Sequence, residues 1–111
     1  MFYKVKPPTE MTFEEFAEVF FGILSLPFEE RDSVDAHEGF YFTGIYENIP
    51  IELYLEPDED AMPFSIGLDT DNYDKRDLVE QEFRSKFIPK GYGFLRHVRQ
   101  PDGETVWIGL H

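Results

Sequence analysis

The chain has no cysteine among its 111 residues. That excludes disulfides, thiolate metal ligands and a cysteine nucleophile, and a small domain without disulfides fits a reducing compartment. Long hydrophobic runs are missing too, since none approaches the ~20 apolar residues that a membrane span needs. The amino-terminal MFYKVKPPTE has no apolar stretch after its lysines, so it does not read as a secretory signal. A cytoplasmic protein is expected. Bases are scarce, 10 Lys and Arg against 23 Asp and Glu. Direct nucleic-acid binding calls for a basic stripe and is not expected. Catalytic signatures are lacking as well: neither G-x-S-x-G nor H-E-x-x-H occurs, and the three histidines, His37, His97 and His111, are scattered. With 23 acids, some carboxylate pair reaches hydrolase spacing by chance, so acid pairing carries no signal.

Two partial motifs fail on inspection. Asp69-Thr70-Asp71 begins like an EF-hand loop with Glu80 at the twelfth position, but Tyr73 stands where a ligand is needed and Asp74 where glycine is needed. Acids before a helix also serve as caps. Gly91-Tyr92-Gly93 is not a phosphate loop, because the third glycine of that motif falls on Arg96. Arg96, His97 and Arg99 can form a small anion site or simply charge an outer strand. No enzyme activity, cofactor or metal is expected.

What the chain does have is aromatic residues and acid. Twelve Phe, six Tyr and one Trp supply core volume for one domain spanning 1–111. The acids are unevenly spread: between Pro7 and Met62 there are 15, against the single base Arg31, whereas residues 63–111 carry 8 acids and 7 bases. Excess charge on that scale opposes compaction, and it suits a basic partner or simple solubility.

Local patterns set out the elements. Phe2-Tyr-Lys-Val5 alternates like a short strand, ended by Pro7-Pro8. Thr12 and Glu15 have capping-box spacing, Met11 and Phe16 are placed as a hydrophobic staple, and Phe13, Phe16, Ala17, Phe20 and Leu24 recur with helical period. That helix should stop before Pro27. Residues 28–39 carry five acids and no clear period, and read as a surface loop with at most one helical turn. Strands are predicted over 40–46 and 49–56 around a turn at Glu47-Asn48, and a third at Phe64–Leu68. A second helix begins within Asp71–Asp74, with Val79, Phe83 and Phe87 inward and Gly91 just past its end. A hairpin joins 93–99 to 104–109 through Pro101-Asp102-Gly103. The order is β-α-βββ-α-ββ, an α+β two-layer sandwich with a mainly antiparallel sheet and both helices on one face.

In such a meander, the loop before strand 40–46 and the loop after strand 49–56 share one end of the sheet. Glu29, Glu30, Asp32, Asp35 and Glu38 in the first can therefore converge with Asp58, Glu59 and Asp60 in the second. This acidic end is the candidate partner-binding surface, and its charge would speed association with a basic protein. Tyr41, Tyr46 and Tyr54 are candidate aromatic anchors, and Phe42 reads as core.

The size, the acidity and the run Y-F-T-G-I-Y…I-P-I-E-L-Y-L-E…F-S-I-G-L-D over about residues 40–69 resemble the immunity proteins of bacterial contact-dependent inhibition and other polymorphic toxin systems. The resemblance implies one-to-one inhibition of a toxin domain, often a basic nuclease, by covering its substrate groove or an exosite. The alternative comes from topology. The α-βββ-α-ββ core is similar to class I type III secretion chaperones, which are acidic homodimers that hold a disordered effector segment. This chain departs from them in its added first strand and in lacking a final helix. The oligomeric state is left open.

Overall fold

A computed structural model describes residues 1–56 and 61–111. Among these residues the chain forms strands β1 (Phe2–Lys6), β2 (Glu29–Asp32), β3 (Phe40–Tyr46), β4 (Ile49–Leu55), β5 (Phe64–Leu68), β6 (Gly93–Arg99) and β7 (Thr105–Gly109). They make one antiparallel sheet in the order β2-β3-β4-β5-β1-β6-β7. Helices α1 (Phe13–Ile23) and α2 (Tyr73–Glu82) pack on the same face. This is the expected α+β sandwich in the expected order, with one strand added. Glu29–Asp32 lies inside the segment read as a surface loop, and it pairs with β3 as an edge strand whose four residues are all exposed. A strand that buries neither face has no hydropathy signature, so its period cannot reveal it. The helical turn allowed for in that segment is a short 3-10 turn at His37–Gly39.

Helix α1 begins where its capping box stands. The Thr12 hydroxyl accepts from the Glu15 N–H at 3.1 Å, and the Glu15 carboxylate accepts from the Thr12 N–H at 3.3 Å. The whole inward stripe is buried, and so is Phe21. Phe21 fits because Gly44 of β3 has no side chain: a Cβ there would come within 2.7 Å of the Phe21 ring and 2.9 Å of the Pro27 carbonyl oxygen. Helix α2 is capped by Asn72, whose side-chain oxygen accepts from Asp74 and Lys75. It widens into a π turn over Phe83–Phe87 and ends at Gly91 with φ +98°.

The helix-side core is a continuous stack of rings. Phe16 lies flat on Phe64 at 4.3 Å and Phe83 flat on Phe94 at 4.4 Å, and Phe20 touches both Phe83 and Phe87. The two helices therefore share one core above β1, β4, β5 and β6. Neither α1 nor α2 covers the opposite sheet face.

The β3–β4 turn holds Glu47 at φ +49° and Asn48 at φ +65°. Such left-handed pairs define the type I′ hairpin turn, which favours Asn and Gly and penalises other residues. Glu47→Asn should raise the unfolding free energy by about 0.5 kcal/mol. A urea titration checks it, and an unchanged or lower midpoint would contradict it.

Candidate functional site

The sheet face turned away from α1 and α2 carries an aromatic trough, and the acidic β2 edge flanks it, with Glu29 on the trough side and Glu30 and Asp32 on the helix side. The edge is β2 with the connection that follows it. Glu29, Glu30 and Asp32 stand in register with Thr43, Phe42 and Phe40 of β3, and all three are exposed. Arg31, the sole base of this stretch, is hydrogen-bonded to Glu29. Its charge is therefore already matched, and the strip stays negative. Asp35 and Glu38 are exposed in the connection. The backbone N–H of Asp35 donates to the Ser33 hydroxyl, and Glu38 and Gly39 both turn through positive φ.

That connection folds back over the end of β4, so Asp35 and His37 border the same trough as Tyr54 and Glu56. The trough has a volume of about 720 Å³ and is open to solvent. Its floor is cross-strand: Tyr54 of β4 faces Ser65 of β5, which faces Lys4 of β1. Its far wall is Trp107 of β7 beside His97 of β6, with ring centroids 4.9 Å apart and the Lys4 ammonium 4.6 Å above the indole. Phe2 lies across Gly67, where a Cβ would reach within 3.3 Å of its ring. Tyr41 stacks on Tyr54 at 5.3 Å, and the Tyr54 hydroxyl donates to Glu52. Burial, and then that hydrogen bond, hold the Tyr54 phenol well above its ordinary range.

The predicted partner-binding residues fall into three groups. Glu29, Glu30, Asp32, Asp35, Glu38, Tyr41 and Tyr54 lie on the β2–β3–β4 side of the sheet. Tyr46 sits at the opposite end of β3, about 20 Å along the strand, and its hydroxyl donates to Glu82 of α2 at 3.2 Å. It is therefore not part of this cluster. Asp58, Glu59 and Asp60 lie outside the described residues. Phe42 is buried in the core.

The anion site considered for β6 is divided by strand alternation. His97 faces the trough. Arg96 faces the helices, where its terminal nitrogen donates to both oxygens of Glu80 at 2.9 Å. Glu80 is 1% exposed. It also accepts from the Tyr3 hydroxyl at 2.6 Å, with Arg76 and Arg84 at 3.5 and 3.4 Å. This buried carboxylate was missed in the sequence, where it appears only as the last position of a failed calcium loop. A signal was available: Glu80, Phe83 and Phe87 are spaced by three and four, which puts Glu80 on the inward stripe of α2. The cluster ties β1, α2 and β6 together, and Glu80 is closed off from solvent.

Among the described residues, no three His, Asp or Glu side chains are grouped to hold a metal ion. His37 and the His97–Trp107 pair stand on different walls of the trough. The arrangement can offer acids along an edge, stacked tyrosines and a mixed polar trough, which are the materials of protein recognition. Among the described residues no helix is long and apolar enough to cross a membrane. Compared with models of known protein families, with curated protein sequences and with solved structures, the chain gives no match.

Proposed function

We propose that this chain is a cytoplasmic immunity protein that neutralises a toxin by binding a basic toxin domain, in keeping with a nuclease, through its acidic edge. The observation that carries the reading is the β2 edge: Glu29, Glu30 and Asp32 on one short exposed strand, with Asp35 and Glu38 just beyond it. The stacked Tyr41 and Tyr54 lie next to that edge and supply large, stiff apolar surface of the kind that anchors interfaces. The resemblance of residues 40–69 to immunity proteins supports the same reading. Acids on an edge strand also discourage strand addition, so charge alone does not separate the two roles. Association kinetics do.

The reading requires a toxin domain encoded directly beside this chain's gene, and that domain supplies the test. Co-expression should rescue growth, and the purified pair should form a one-to-one complex. Reversing Glu29, Glu30, Asp32 and Asp35 to Lys should slow association at least about tenfold at low salt. The difference should shrink once the screening length falls to about 8 Å, near physiological ionic strength. Failure to rescue growth would remove the immunity role. Rescue with an unchanged association rate and salt dependence would remove the acidic edge from it.

A further inference from the structure

The two edges of the sheet are built on opposite principles. β2 reads EERD and is exposed and charged along its length, as a guarded edge should be. β7 reads TVWIG, with no charge and no proline. Trp107 is 40% exposed on the trough face and its neighbour Ile108 is 42% exposed on the helix face. An outer strand with solvent on one face normally alternates, while apolar side chains on both faces mark a strand covered on both sides and flanked by neighbours. β7 has the composition of an interior strand but stands at the margin.

Among the described residues its outer backbone is unpaired, and it is ordered for pairing. Leu110 donates to the Phe94 carbonyl at 3.0 Å and Gln100 donates to the Glu104 carbonyl at 2.7 Å. By the alternation of an antiparallel ladder, even-numbered residues of β7 bond to β6, and Thr105, Trp107 and Gly109 direct their N–H and C=O groups outward.

We infer that this edge joins two copies of the chain, β7 against β7 in antiparallel register about a two-fold axis at Trp107. Each Trp107 then exchanges backbone bonds with its counterpart, and each Thr105 pairs with Gly109 of the other copy, giving about six new backbone hydrogen bonds. On the helix face Val106 of each copy lies beside Ile108 of the other. The self-complementary register suits a second copy as the occupant, and charge allows it at this edge. Each chain carries −13, so like copies repel wherever their acidic halves meet. Residues 93–111 hold Arg96 and Arg99 against Asp102 and Glu104, a neutral balance before histidine is counted. The acidic β2 edge lies six strand spacings from β7, about 29 Å, which is several screening lengths. Joining through β7 keeps the two acidic edges at the far ends of a continuous sheet, both open to partners.

Sedimentation velocity on the full chain, from low micromolar to near-millimolar concentration, tests this. The 13.1 kDa species should give way to one of twice that mass. Trp107 is the only tryptophan, so its emission should move to shorter wavelength over the same range. Added salt should strengthen the dimer by screening the net charge, the opposite of its effect on a basic partner. That contrast separates failure here from failure of the immunity reading. Thr105→Pro removes an outward N–H, and Ile108→Lys adds charge to the apolar side. Each should raise the dissociation constant at least about tenfold, while Glu18→Gln on the exposed side of α1 should leave it nearly unchanged; circular dichroism confirms folding. A monomer at every concentration, a dimer indifferent to both β7 substitutions, or a Trp107 shift that appears only when another protein is added would overturn the inference.

Discussion

Replacing Glu80 with alanine is expected to lower the unfolding free energy by about 3–5 kcal/mol, a large share of the total for a domain of this size. The carboxylate is sealed under α2 and serves the Tyr3 hydroxyl and the Arg96 guanidinium together, with Arg76 and Arg84 close by. Its removal leaves a half-buried guanidinium cluster without its counter-charge and a buried phenol without an acceptor. Arg96 has little to fall back on, since its Nε already lacks a partner among the described residues. Breaking such a set costs more than the net strength of the intact pair, because the stranded partners keep their desolvation penalty. Tyr3→Phe removes one hydroxyl and keeps the ion pair, so a smaller loss of about 1.5–2 kcal/mol is expected. Urea midpoints with unchanged slopes measure both. A Glu80→Ala loss no larger than that of Tyr3→Phe would contradict this account.

The same cluster sets an alkaline limit. Burial, then the hydrogen bond and charge of Glu80, hold the Tyr3 phenol far above its ordinary value, against the smaller opposing pull of Arg76 and Arg96. An unfolded tyrosine loses its proton near pH 10. Above that pH the unfolded chain binds fewer protons than the folded one, so stability is full below about pH 10 and falls as pH rises. Tyr54 is shifted the same way and contributes to the same decline. Tyr3→Phe should make the loss between pH 9 and 11 shallower. An identical slope in both proteins would count against it.

Phe83→Ala should cost a comparable amount, about 3–5 kcal/mol. Phe83 is fully buried at the start of the π turn, where four other rings converge on it. It lies flat on Phe94, meets Tyr3 edge-on at 5.3 Å, and contacts Phe20 and Phe87. These rings belong to β6, β1, α1 and the end of α2, so one truncation opens a cavity where every layer meets. The surrounding rings cannot collapse into it without leaving their own contacts, which places the cost towards the upper part of the range. A fall in melting temperature of about 10 °C or more is expected. Phe28→Ala makes the contrast: that ring stacks on Phe21 at 5.0 Å but is 36% exposed, and it should cost less than half as much. Equal losses would mean that burial does not govern this core.

Much of the fold was legible because local chemistry declares it. The Thr12–Glu15 box and the Phe13–Phe16–Phe20 spacing set out α1, the alternation of Ile49, Ile51 and Leu53 set out β4, and Gly91 and Gly103 marked the turns that their positive φ requires. The candidate site was legible only as an inventory. Acids and tyrosines could be counted, but Tyr46 points to Glu82 at the far end of its strand, while Lys4, His97 and Trp107 meet across three strands to form a wall that no spacing announced.

The sequence by itself determined the α+β class, the order of the elements, the acidic half and the inward stripes. Each of these rests on interactions within a few residues or on composition. Tertiary structure alone decided that β1 runs down the middle of the sheet between β5 and β6, that Glu80 is closed over by Tyr3 and Arg96, and that β2 is the guarded edge and β7 the bare one. The physical reason is the same in each case. A strand's period says which face it buries, but its neighbours are chosen by distant segments competing for the same backbone donors and acceptors. Whether a charge is solvated or enclosed depends on what those neighbours bring with them.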